Sequence, residues 1–222
     1  MDGIHELAKR KELANKVLSR LKARYPEAGP LLRYSNPYQA LVAVILSAQT
    51  TDEQVNRVTP QLFARYPDIA SLASADVEDV AGIIKTVGLY HSKAAHLVAA
   101  AKIITGEYGG RIPDRLEELM KLPGVGRKTA NVLLAGAFGK PGLGVDTHVH
   151  RVANRVGLAA SKDPAGTEKQ LKEIIPEQEW GKAHHLLIFQ GRQACRAKKP
   201  DCEHCVLPDL CRYYQSRKNA QP

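Results

Sequence analysis

Two hundred and twenty-two residues and 24.3 kDa suffice for one large domain or two small lobes with a buried core. Hydrophobic residues at 44% and charged residues at 25% exclude a disordered, collagen-like or coiled-coil chain. The net charge of +9 is uneven: residues 1–120 carry 15 basic and 14 acidic side chains, residues 121–222 carry 17 and 9. Such a surplus points to a polyanionic partner, nucleic acid first, with a solvated basic surface as the plain alternative.

The chain reads as successive helices. Leu7, Leu13, Val17, Leu18 and Leu21 recur at helical spacing in a segment that stops before Pro26 and Gly29-Pro30. Asn36-Pro37 predicts an N-cap with proline at the first helical position, opening an apolar helix to Leu46. The longest uncharged run, Tyr34 to Thr51, has an apolar heart of only Ala40 to Ala48, whereas a membrane span needs about 20 apolar residues. Thr51-x-x-Gln54 predicts a capping box for a helix through about Ala64. Ser74 is expected to cap a helix ending near Val87-Gly88, Ser92 to start another through Ile104, and Asp114 to open a short one to Lys121. After Leu122-Pro123-Gly124-Val125-Gly126 comes a helix from Arg127 to Phe138 that Gly139 ends. Asp146 caps a helix through Val156, Thr167-x-x-Gln170 starts the next, and a last long helix runs from about Trp180 to Cys195.

No stretch sustains period-two alternation, so the predicted fold is all-α. Short loops and continuous apolar faces make Tyr34 to about Gly139 one bundle. The C-terminal cysteine segment has little core of its own and must pack on neighbouring helices, the N-terminal one included. The expected domains are six helices over 30–140, and 1–29 together with 141–222, which carries the cysteine loop 195–211. Met1 to Glu6 shows no basic stretch leading into an apolar one, hence no secretory signal; a soluble intracellular protein is expected.

Four cysteines are spaced Cys195-x6-Cys202-x2-Cys205-x5-Cys211, and none precedes them. Two disulfides would suit a secreted mini-domain, but nothing here indicates an oxidising compartment. Four thiolates so close in sequence repel one another unless a metal neutralises them, and either zinc or an iron–sulfur cluster meets that need. Zinc ribbons usually supply two C-x-x-C knuckles and this segment has one, so the wide loop favours a [4Fe-4S] cluster. His204 inside the loop reads as a surface histidine.

Pro123, Gly124 and Gly126 between two helices predict a hairpin turn whose glycines take conformations forbidden to other residues. The glycines also bare the amides at the start of the next helix, where free N–H groups and the helix dipole attract phosphate. Leu122 and Val125 would anchor the turn in the core. A plain connector needs one glycine, and not P-G-x-G followed by two basic residues. Phosphate contacts of this kind position a protein on a backbone without reading sequence.

LPGVGRKTA at Leu122 to Ala130, VDTHVHR at Val145 to Arg151 and the cysteine spacing together resemble the endonuclease III family of helix–hairpin–helix DNA glycosylases. The likeness extends to Leu46-Ser47-Ala48-Gln49-Thr50-Thr51-Asp52 and Gly88-Leu89-Tyr90-His91-Ser92-Lys93, and covers roughly residues 30 to 212. It implies a helical-barrel domain plus a [4Fe-4S] cluster domain, with Cys195, Cys202, Cys205 and Cys211 as ligands. It also implies base-excision repair of oxidised pyrimidines of the thymine glycol type, with cleavage of the abasic strand by β-elimination.

The implied nucleophile is Lys128. Its place in the first helical turn and the adjoining Arg127 both favour the neutral amine. A free lysine is only about 0.04% neutral at pH 7, so the role needs that help. Without the resemblance, a phosphate-contacting or solvated lysine would be the default. Asp146 is an equally good helix cap, and by resemblance the catalytic aspartate; the two roles are compatible. His148 and His150 form an H-x-H, but on a helix such residues point to different sides, which argues against a metal.

Reaching a base in a duplex requires extruding the nucleotide. By resemblance Gln49 and Leu89 fill the gap, although they also read as a cap-region glutamine and a core leucine. The expected DNA contacts are Gln49, Leu89, Leu122, Gly124, Val125, Gly126, Arg127, His148, Lys198 and Lys199, with Arg192 and Arg196 adding positive charge. The partner implied is double-stranded DNA carrying damaged or abasic sites, bound by a monomer with no membrane role, in the cytoplasm at the nucleoid of a prokaryote.

Three rivals stand beside this reading. The adenine-excising branch of the superfamily lacks the lysine and usually carries a further C-terminal domain, whereas this sequence ends eleven residues after Cys211. A non-catalytic hairpin module would not need Lys128 and Asp146 at this spacing. An iron–sulfur electron carrier would leave the hairpin and the basic half unexplained.

Overall fold

The structure, a computed structural model, describes residues 2–219; Met1, where the signal reading begins, lies outside them. In chain order the helices are α1 (Asp2–Arg24), α2 (Pro37–Leu46), α3 (Asp52–Arg65), α4 (Ile69–Ala73), α5 (Val77–Ile83) and α6 (Tyr90–Glu107). They continue with α7 (Leu116–Leu119), α8 (Arg127–Phe138), α9 (Thr147–Val156), α10 (Pro164–Ile174), α11 (Trp180–Gln193) and α12 (Arg212–Asn219). A 3-10 turn, Glu177–Glu179, leads into α11, and among the described residues there is no strand. None of these helices is long and apolar enough to cross a membrane.

Local chemistry explains where the helices start. Asn36 accepts from Gln39 N and Pro37 follows it, as the sequence predicts. Thr51 accepts from Gln54 N, but the Gln54 side chain donates to Thr86 Oγ1 instead of completing a capping box. Ser74 is a C-cap, not an N-cap: Asp68 forms a capping box with Ser71 that creates the short α4, and Asp76 opens α5 by accepting from Glu78 N and Asp79 N. That extra helix makes seven helical segments over 30–140 where six are predicted. Thr167 is likewise no cap; Asp163 with Pro164 starts α10 four residues earlier, and Thr167 is buried inside it. Ser92 and Asp114 also miss, since α6 starts at Tyr90 and α7 spans only Leu116–Leu119.

The chain forms two compact units, Pro30–Gly142 and Met1–Gly29 with Leu143–Pro222. In the first, α2 is the central element, with Ala40 through Leu46 all buried against α3, α6 and α8. Burying an aliphatic side chain fully is worth about 1.5–3 kcal/mol, so the apolar surroundings contribute more to this helix than its Asn36 cap. In the second, Val17, Leu18 and Leu21 of α1 share a core with Val149 and Val152 of α9, Leu186 and Leu187 of α11, and Leu207 of the cysteine segment. Arg20 on α1 donates to Val206 O and forms two hydrogen bonds with Asp209. The N-terminal helix thus supports the loop that has little core of its own.

Candidate functional site

The hairpin lies between α7 and α8. Leu122 and Val125 are buried, and Val125 N closes the turn on Leu122 O at 3.0 Å. Gly124 adopts φ 79°, and a Cβ there would meet His96 Cβ at 3.2 Å and Ile45 Cγ2 at 3.3 Å. Both conformation and space therefore demand glycine. Gly126 is the N-cap of α8 and, having no side chain, leaves the first-turn amides uncapped by it. Gly124, Gly126 and Arg127 are exposed; Lys128, in that first turn, is half-buried. Asn131, which the sequence reading overlooked, is 1% exposed and donates to Arg127 O at 3.1 Å, holding the first turn from inside.

Asp146 caps α9 through one oxygen. Its Oδ1 accepts from His148 N at 2.8 Å and Val149 N at 2.9 Å, while Oδ2 takes no part in the cap. The carboxylate is half-buried. Arg151, one turn on, ties α9 to its surroundings: Nε donates to Cys195 O and NH2 to Gly191 O, both at 2.9 Å, and NH2 lies 3.1 Å from His148 Nδ1. A Cβ on Gly191 would stand 2.9 Å from His148 Cβ, so α9 and α11 touch there through a glycine. His150 turns elsewhere, with Nδ1 2.7 Å from Thr167 Oγ1. Arg151 and Arg155 are also functional candidates that the sequence reading left unassigned; their spacing of four on the helix after Asp146, which puts them on one face, was the available signal.

Gln49 lies in the turn between α2 and α3, Leu89 at the junction of α5 and α6. Both are exposed, Leu89 to 61%. Among the described residues they are the two non-glycine positions with positive φ, 54° and 58°. A left-handed conformation costs a residue with a Cβ roughly 1–2 kcal/mol, and such strain gathers at functional positions. The core-leucine reading of Leu89 does not hold, because its side chain stands in solvent.

The four cysteines are free thiols that line one pocket with Val156, Gln190, Leu207 and Tyr214. Cys195 follows α11 and Cys211 precedes α12. Burial pushes the thiols of Cys202 and Cys211 up, and the neighbouring Cys195 and Cys205 push the same way. Gln190 Nε2 donates to Cys205 Sγ at 3.2 Å and Arg155 NH1 to Cys195 Sγ at 3.6 Å. Among the described residues no three His, Cys, Asp or Glu side chains converge on a point that would hold a single metal ion. A lone zinc with Zn–S of about 2.3 Å would draw its sulfurs to within about 3.8 Å of each other. Arg192, Arg196, Lys198 and Lys199 are exposed around the loop, and exposed His204 lies 2.9 Å from Asp201 Oδ1.

An all-helical chain with a glycine hairpin before a lysine-bearing helix, a capping aspartate and a thiol-lined loop defines a class of DNA repair protein, and similarity gives the family. Residues 42–177 match the HhH-GPD superfamily of base excision DNA repair proteins, and the chain belongs to that family. It is 46% identical to endonuclease III of Synechocystis sp., over 94% of this chain and 95% of that protein. It is 42% identical to endonuclease III of Escherichia coli K12, over 89% and 93%. A solved trapped endonuclease III–DNA covalent intermediate superposes with a TM-score of 0.87 at 41% identity, over 94% of this chain and 98% of that one.

Proposed function

We propose that this protein is a bifunctional DNA glycosylase and abasic-site lyase that removes oxidised pyrimidines, thymine glycol among them, from duplex DNA. The observation that carries this reading is the hairpin at Gly124, where conformation and packing both require glycine, with Lys128 in the first turn of the helix it opens. Relatives of the same length named endonuclease III, one of them caught covalently on DNA, support it.

The hairpin amides and the exposed basic residues, Arg127, Lys198 and Lys199 among them, hold phosphates. His148 stands beside Asp146 to meet the backbone. Gln49 and Leu89 enter the space left by the extruded nucleotide, their strained backbones holding the side chains outward before DNA arrives. The Lys128 amine then attacks C1′, the glycosidic bond breaks, and the base leaves. Asp146 serves as general base and stabilises positive charge developing on the sugar. The C1′–O4′ bond then opens with a proton going to O4′, which turns the adduct into an imine; the imine acidifies C2′, and loss of that proton expels the 3′ phosphate and cuts the strand.

The cysteine loop fits a [4Fe-4S] cluster held by Cys195, Cys202, Cys205 and Cys211. All four thiols line one pocket, and a buried amide and an arginine already donate to two of the sulfurs. Bound there, the cluster would order the basic loop for DNA. The protein is proposed to act as a monomer on damaged or abasic duplexes. Incubation with a duplex containing one thymine glycol should release the base and cut 3′ to it. Intact strands from both that duplex and one with a preformed abasic site would overturn the reading.

A further inference from the structure

Lys93 is a lysine in the core of its unit, 4% exposed, in the first turn of α6. A buried ammonium is costly unless hydrogen-bonded, and burial pushes Lys93 below the ordinary lysine range. An apolar residue of similar length would fill the space without that cost. What the lysine adds is a set of three donors, and each has a partner. Nζ donates to Leu46 O at 2.8 Å, to Ala48 O, and to Thr50 Oγ1 at 2.9 Å. With all three used, it has no donor left for a phosphate.

Those oxygens have a common place in the chain. Leu46 O ends α2, where a cation is favourable, while Ala48 and Thr50 flank Gln49 on either side. The backbone of Lys93 acts on the other junction, its N–H donating to Leu89 O at 3.0 Å. The Lys93 side chain therefore braces the Gln49 turn, while its main chain makes the first i→i−4 bond of α6, as any residue there would. The two junctions also touch, since a Cβ on Gly88 would meet Gln49 O at 3.2 Å.

We propose that Lys93 is a positioning residue for nucleotide extrusion: its ammonium keeps the 46–50 turn wound so that Gln49 is presented beside Leu89 as one preformed wedge. This rests on the glycosylase reading and on the assignment of those two side chains to the gap. Preforming the wedge means that its ordering entropy is not charged to the extrusion step. The role matters only where there is a paired base to displace.

The test compares two substrates. One is a duplex with thymine glycol opposite adenine; the other has the same lesion opposite an abasic analogue, where no pairing must be broken. Single-turnover excision is measured for wild type, Lys93→Met and, as a milder variant should the first not fold, Thr50→Val. Extrusion costs a few kcal/mol, so Lys93→Met should slow the paired substrate about tenfold or more and the unpaired one less than about threefold. Thr50→Val should shift the ratio the same way by about threefold, having removed one of three acceptors. Equal losses on both substrates, or an unchanged ratio in the variant that folds, would overturn the proposal and leave Lys93 as a core residue. Failure of the wild type on both substrates would overturn the glycosylase reading, and this inference with it.

Discussion

Gly88 stands so close to Gln49 that a Cβ on it would lie 3.2 Å from the Gln49 carbonyl oxygen. The neighbour is backbone, and that backbone is already in the strained left-handed region. It cannot rotate aside without moving the Gln49 side chain. Gly88→Ala should therefore cost about 1 kcal/mol, a melting shift of about 2–4 °C for a chain of this size. Excision of a paired lesion should fall severalfold more than that shift accounts for. Calorimetry beside a single-turnover assay checks this, and an unaltered assay would separate Gly88 from the wedge.

At Gly124 two constraints meet, a φ of 79° and contact with His96 and Ile45. Gly124→Ala should destabilise by about 1–3 kcal/mol through strain and overpacking. Affinity for undamaged duplex should drop as well, because the hairpin amides move. Denaturant unfolding and fluorescence anisotropy measure the two effects. Lost stability with unchanged affinity would remove the hairpin from the DNA surface.

Much of the molecule was legible because strong local signals agree with the packing. Asn36-Pro37, Gly139 and Asp146 mark helix ends in the sequence and do so in the structure. Errors arose where several polar residues compete for one cap. Ser74 lost to Asp76 because carboxylate Asp76 reaches two amides, and Thr167 lost to the Asp163-Pro164 pair. Lys128 and Asp146 stand out in the sequence as candidates because a run of neighbours marks each. The strain at Gln49 and Leu89 does not, since no residue type announces a positive φ there. Lys93 was invisible for another reason: its partners lie 43 to 47 residues away in sequence.

Asp146 combines a cap and a proposed catalytic carboxylate, and substitution can separate them. Asparagine caps a helix about as well as aspartate. Asp146→Asn should keep the melting temperature within a degree or two while excision falls by orders of magnitude. Asp146→Ala should lose about 1 kcal/mol of stability in addition. If Asp146→Asn excises normally, Asp146 is a cap and nothing more.

The cysteine segment joins the N-terminal helix through Arg20 and the α9 helix through Arg151 and Arg155. Cys202→Ser should give protein depleted in iron and acid-labile sulfide, with a lower melting temperature and weaker DNA binding. Elemental analysis of purified wild type and variant reads this directly. A Cys202→Ser protein that is iron-free, equally stable and fully active would refute the cluster assignment.

Covalent bonding of Lys128 to the sugar is read by borohydride trapping on a duplex with one thymine glycol, which reduces the imine to a stable adduct. The assignment of Lys128 as nucleophile requires a protein–DNA adduct with wild type and none with Lys128→Ala, which should still bind the duplex. An adduct of equal yield with Lys128→Ala, or none with wild type that nevertheless excises the base, would contradict it.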